Sequence, residues 1–173
     1  MMVEVVVARL GLDSSTQSYV VILKEKDGKR LLPIWIGQPE AESIVMQMHN
    51  IKRVRPLTHD LCKSLIVGLG GTLRRVQITR VDKNTYYAEL HLHHGDDLVR
   101  VDARPSDSIA IALRLNAPIF ASETLLSRAE DGDDEDEESA VPGGTGDEDE
   151  LSAEQLKRYL ETLRPEDFGK FNP

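Results

Sequence analysis

Two runs rich in β-branched residues open the chain, VEVVVARLGL (3–12) and QSYVVILKE (17–25), with a polar DSST turn between them. After KDGKR, whose Asp27-Gly28 is a hairpin signal, LLPIWIG predicts a third strand. The period then changes. Over residues 39–50 the apolar positions Ile44, Val45 and Met48, continued by Ile51, fall near one helical face. Thr58 is placed to cap a second helix, HDLCKSLIVGLG, with Leu61, Leu65, Ile66 and Leu69 as its apolar stripe and Gly70-Gly71 as its stop.

A second round follows. TLRRVQITRVD and TYYAELHLHH predict strands joined at Lys83-Asn84, and GDD turns the chain into LVRVDA. A helix is expected over 105–116, then a short apolar APIF, and SETLLSRA predicts a final turn of helix. The order strand, strand, strand, helix thus occurs twice. A shift of 65 residues lays Glu42-Ser43-Ile44 on Asp107-Ser108-Ile109, while the helix at 58–70 has no twin. The fold expected is α+β: duplicated β-β-β-α units forming a mixed sheet with helices packed on it.

The strands differ between the halves. In TYYAELHLHH, Tyr86, Ala88, Leu90 and Leu92 share one face, and Tyr87, Glu89, His91 and His93 the other. In the first half both faces are apolar, with Tyr19, Val21 and Leu23 set against Val20 and Ile22. A strand apolar on both faces is covered on both. One cover is the helix layer and the other a second subunit, so a homo-oligomer is expected.

Charge divides the chain further. The net charge is −9, yet residues 130–150 hold 12 Asp and Glu and no Lys or Arg, which leaves residues 1–129 with 17 basic and 14 acidic side chains. Three regions are expected: a domain over 1–129, an acidic disordered linker over 130–150, and a short C-terminal amphipathic helix and tail over 151–173. That helix presents Leu156, Tyr159, Leu160 and Leu163 and suits docking on the body or on a protein partner. The single cysteine, Cys62, excludes an internal disulfide. No stretch is long and apolar enough to span a membrane, and a cytoplasmic location is expected.

Four blocks carry a resemblance: LLPIWIGQPEAESI, RPLTHDL, RRVQITRV with YYAELHL, and VDARPSDSIAIALRLNAPIF. In their order and spacing, over about residues 3–127, they resemble the bifunctional nuclease domain family, known in bacteria and, with added segments, in plants. The resemblance implies an α+β domain, often oligomeric, that acts on both DNA and RNA. It supplies no catalytic residues.

Phosphodiester hydrolysis needs an activated nucleophile and stabilisation of phosphate charge, and carboxylates holding Mg²⁺ or Mn²⁺ meet both needs. The candidate catalytic residues are Asp102, Asp107, His59 and Glu42, with Asp102, Asp107 and Glu42 as metal ligands and Arg104, Ser106 and Arg55 as substrate-binding groups. No organic cofactor is expected. Asp102 ends a strand, and Asp107 sits in the first turn of the next helix, so they and Arg104 converge at the strand's carboxyl end. Each acid also has a plainer reading. Asp107, Glu42 and Glu40 suit first helical turns, and Asp60 beside His59 suits a helix start. Glu89, His91 and His93 share a strand face and offer a transition-metal set or an exposed polar surface. Lys52, Arg53, Arg55, Arg74, Arg75 and Arg80, with Tyr86 and Tyr87, give a weak phosphate-binding and stacking signal. The sequence shows no Gly-rich phosphate loop, no Ser-His-Asp arrangement and no zinc cysteines. The expectation is a metal-assisted nuclease of RNA and DNA. Its alternative is a non-catalytic regulatory or binding module whose acidic tail and C-terminal helix engage partners.

Overall fold

One continuous apolar layer organises the domain. In the computed structural model, which describes residues 1–13 and 15–128, strand residues Val5, Val21, Leu23, Leu32, Ile34, Val76, Ile78, Ala88, Leu90, Ile119 and Ala121 join Ile44, Val45, Ile109 and Ala112 of two helices in a single core. Cross-strand register explains why: Val21 lies opposite Ile34, Val5 opposite Ile119, and Val76 opposite Leu90 and Ile119, so all point to the same face.

The elements are β1 (Met2–Asp13), β2 (Ser18–Glu25), β3 (Arg30–Ile36), α1 (Gln38–Met48), α2 (Thr58–Gly68), β4 (Gly71–Asp82), β5 (Thr85–His94), β6 (Asp97–Ala103), α3 (Pro105–Leu115), β7 (Ile119–Ser122), a 3₁₀ turn over Glu123–Leu125, and β8 (Ser127–Arg128). The strands form one mixed sheet in the order β6-β5-β4-β7-β1-β2-β3-β8. Two antiparallel meanders, β1-β2-β3 and β4-β5-β6, flank β7, which is parallel to β4 and antiparallel to β1. The fold is α+β, and the order β-β-β-α occurs twice. Among the described residues no helix is long and apolar enough to cross a membrane. The acidic segment and the C-terminal helix expected from sequence lie outside the described residues.

Local chemistry sets the boundaries. Lys83 and Asn84 both adopt positive φ, as a two-residue turn between right-twisted strands requires. Gly70, at φ +79, closes α2, and Asn116 takes the left-handed position after α3. Pro105 stands at the first position of α3, and Pro39 lies within the first turn of α1, where neither removes a helix hydrogen bond.

Three expectations change. Thr58 does not cap α2. Leu57 holds that position, and its N–H donates to Asp60 Oδ2 at 2.9 Å, because a carboxylate three residues on reaches the free amide better. Leu61, Leu65 and Leu69 face outward and only Ile66 of the expected stripe packs inward, since α2 instead turns His59, Asp60 and Cys62 toward α3 and the core. SETLLSRA gives a 3₁₀ turn and then the short strand β8. On the helix-free face Val20 and Ile22 are buried within the single chain, between cross-strand neighbours Gly11 and Trp35, and Arg9 and Pro33.

Candidate functional site

Three helices meet at their polar ends, and the residues that join them form one hydrogen-bonded chain. Ser43 lies within α1, His59 in the first turn of α2, and Asp107 in the first turn of α3. Ser43 Oγ is 2.7 Å from His59 Nδ1, and His59 Nε2 is 2.9 Å from Asp107 Oδ1. Arg104, at the N-cap of α3, donates from Nε to Asp107 Oδ2 at 2.7 Å and from Nη2 to Glu40 Oε1 at 2.7 Å, which ties the start of α1 to the start of α3. Beside this chain, Arg114 donates from Nε to Asp60 Oδ1 at 2.7 Å and from Nη1 to the carbonyls of Ser43 and Ala110.

Charge fixes the proton positions. Burial alone would push the Asp107 carboxyl upward, but hydrogen bonds from Arg104 and His59 and their charges outweigh it and hold the group below its ordinary value. Asp107 is therefore ionised near neutrality and accepts only. His59 Nε2 thus donates to Asp107; with one ring proton Nδ1 accepts from the Ser43 hydroxyl, and with two it donates to the Ser43 oxygen. Asp60 is likewise lowered, with burial opposing and the Arg114 and Leu57 hydrogen bonds prevailing. Arg104 is raised by its two carboxylate partners and stays charged. The arrangement is a carboxylate, an oriented imidazole and a hydroxyl in sequence, built from three helices. Sequence reading found no Ser-His-Asp arrangement, and the structure corrects that. The depth is uneven: Ser43 is 5% exposed, whereas the Arg104 side chain is 65% exposed and forms the wet edge of the cluster.

The candidate residues separate clearly. Asp107, His59 and Arg104 come together. Asp102 points to the helix-free face of β6, opposite Glu89 of β5. Glu42 accepts from Gln38 Nε2 at 2.9 Å within its own helix and stays out of the cluster. Ser106 is buried, and Arg55 is exposed in the loop between α1 and α2. Glu40, Asp60, Ser43 and Arg114 complete the site instead. Arg114 carried a readable signal: a lone cation inside the apolar run IAIALRL demands a buried partner. Of the other surface groups, Tyr87 is covered by Arg80, whose guanidinium carbon sits 3.5 Å from the ring centroid, and Tyr86 packs against the core. His91 is buried and pairs with Glu89 at 3.1 Å.

Comparison with known proteins gives the domain its family. The model of the bifunctional nuclease domain matches residues 21–132. The chain belongs to that family. An uncharacterised protein of Mycobacterium tuberculosis is 40% identical over 169 residues, covering 95% of this chain and 97% of its own length. Bifunctional nuclease 2 of Arabidopsis thaliana is 35% identical over 109 residues, 61% of this chain and 33% of the plant protein. Bifunctional nuclease 1 of Oryza sativa subsp. indica is 31% identical over 114 residues, 64% and 34% of the two chains. The chain thus spans about a third of the plant proteins it resembles.

In this bifunctional nuclease domain the three carboxylates expected from sequence to hold a metal, Asp102, Asp107 and Glu42, lie on different elements of the described structure. Among the described residues no three His, Cys, Asp or Glu side chains gather as ligands. Asp102, Asp107 and Glu42 do not converge. Both oxygens of Asp107 already accept hydrogen bonds, and the Arg104 guanidinium bonds Asp107 and Glu40 together. The donor set fits an arginine better than a metal.

Proposed function

We propose that this chain hydrolyses phosphodiester bonds in both RNA and DNA at the Arg104–Asp107–His59–Ser43 cluster. Family membership supports the reaction class. The observation that carries the location is the oriented imidazole, bonded to an ionised carboxylate at 2.9 Å and to a hydroxyl at 2.7 Å, beside an exposed arginine. DNA lacks a 2′-hydroxyl, so an activity common to both polymers takes its nucleophile from water. Arg104, whose Nε and Nη2 are bonded to Asp107 and Glu40, offers Nη1 and its charge to a non-bridging phosphate oxygen and offsets the charge that builds there. His59 Nδ1 receives a proton from the attacking water through the Ser43 hydroxyl, while Asp107 stabilises the imidazolium that forms. The new bond joins water oxygen to phosphorus, the bond to the leaving sugar oxygen breaks, and that oxygen is protonated from solvent or by the imidazolium. No step is routed through a metal.

A second reading has its own observation. Ser43 is nearly closed to solvent and both ring nitrogens of His59 are taken, as in a clamp that only locks three helices together. In that case the domain binds partners without cleaving them. Highly purified chain assayed on single-stranded RNA and DNA with Mg²⁺, Mn²⁺ or EDTA separates the readings when His59→Gln is run in parallel. Cleavage that persists in EDTA and is lost in the folded variant supports the proposal. No cleavage by the intact protein, or cleavage indifferent to His59, removes it.

A further inference from the structure

Helix α2 turns its leucines the wrong way for a helix with nothing outside it. His59 is its only fully buried residue, while Leu61, Leu65 and Leu69 follow one another every fourth position along the outer side, each more than half exposed. That spacing makes one straight apolar ridge. Gly68 lies beside Leu65 on the same side, and a Cβ added there would meet nothing within 4 Å, so open room borders the ridge. Val54, in the loop before α2, is exposed as well. Apolar surface gathered in this way marks a place where another element binds. Its rim is basic: Lys52, Arg55 and Lys63 are exposed, and among the described residues none of them makes a salt bridge.

The chain carries a segment of matching chemistry. Residues 129–173 lie outside the described structure, and within them Ser152 and Gln155 have the spacing of a capping box, with Leu151 and Leu156 set as its hydrophobic staple. Leu156, Tyr159, Leu160 and Leu163 then recur at helical spacing up to the stop at Pro165. The pattern predicts a helix over 153–164. A helix that short is marginal in water by itself and needs a surface. Helix α2 offers one of similar length, 11 residues or about 17 Å at the rise of an α-helix. Reach is no obstacle. The 23 residues 129–151 extend to about 75 Å, whereas a domain of this size is roughly 35 Å across. A tether of that length holds the segment at a roughly millimolar effective concentration, ahead of any separate partner. Residues 130–150 bring 12 acidic side chains and no basic one, the complement of the rim at α2.

We propose that residues 153–164 form a helix that docks its Leu156, Tyr159, Leu160 and Leu163 face on the Leu61, Leu65 and Leu69 ridge of α2 in the same chain. The proposal is independent of the nuclease reading. The outer leucines of α2 stand outside the domain core, so the segment comes off in low urea before the core unfolds.

Hydrogen exchange of the full chain, read by mass spectrometry, tests the docking. The amides of 153–164 exchange at least about tenfold more slowly than in an unstructured chain. Leu65→Glu removes that protection from the ridge side. Leu160→Glu removes it from the segment side, although glutamate is itself a good helix former. Val81→Glu, at another exposed apolar position, leaves it intact. The amides of β4 and α3 stay protected in all three variants, which shows the domain folded. In a mixture of light and heavy-isotope protein, an amine cross-linker joins Lys63 to Lys157 within single chains. A segment that exchanges like an unstructured chain, protection that survives Leu65→Glu, or a cross-link formed mainly between chains would each overturn the proposal.

Discussion

Replacing Asp60 with alanine removes one carboxylate and breaks two connections. The Arg114 side chain is 3% exposed and, among the described residues, Asp60 is its only acidic partner, at 2.7 Å; the same carboxylate accepts the Leu57 N–H that starts α2. Removing one member of a buried ion pair costs about 3–5 kcal/mol. Two facts lower that figure here: Arg114 keeps the carbonyls of Ser43 and Ala110, and the Asp60 side chain is 35% exposed. A cost of about 2–3 kcal/mol for the pair and about 1 kcal/mol for the lost cap is the result. At about 3–5 °C per kcal/mol for a domain of this size, the melting temperature falls by roughly 10–15 °C. Arg114→Met keeps the packing volume and strands only a half-wet carboxylate, so it costs less, about 1–2 kcal/mol. The double variant Asp60→Ala/Arg114→Met falls short of the sum by about 1.5 kcal/mol or more, because the second change removes the charge that the first had orphaned. Urea titrations and calorimetry of all four proteins measure this. An Asp60→Ala loss below about 0.5 kcal/mol, or a strictly additive double variant, would show that the buried cation is not held as described.

Other outcomes follow from the same packing. Ile109, fully buried on the inner side of α3, costs the domain about 2–5 kcal/mol on change to alanine, measured by urea unfolding. Leu65→Gln, on the exposed side of α2, changes stability by no more than about 0.5 kcal/mol in the same assay. Asp107 has a folded value below its ordinary 3.8, so its contribution is present above about pH 4 and is lost as pH falls through the lower folded value; Asp107→Asn therefore flattens the acid limb of a stability-versus-pH curve below pH 4.

The meanders, the helix starts at Pro39 and Pro105 and the Lys83-Asn84 turn were legible because they depend on short-range chemistry. The site was legible only in part for the same reason. Arg104 and Asp107 are three residues apart and read together, but Ser43 to His59, His59 to Asp107 and Asp60 to Arg114 are joined across 16, 48 and 54 residues. Asp102 illustrates the cost. It is near Asp107 in sequence, yet strand alternation sends it to the other face of the sheet, away from the helices. Helix α2 misled similarly: its leucines have helical spacing, while its burial is decided by the hydrogen bond of His59 and the ion pair of Asp60 with α3.

Whether the exposed end of the helix cluster works on phosphate is read from Arg104. The most direct measurement is the rate at which Arg104→Ala cleaves single-stranded RNA and DNA relative to the unaltered chain, with melting curves alongside. Arg104 is 65% exposed, so stability shifts by about 1 kcal/mol or less, and loss of a phosphate-stabilising cation lowers the rate by about 100-fold or more on both polymers. An unchanged rate on both, in a protein that melts normally, would contradict the account.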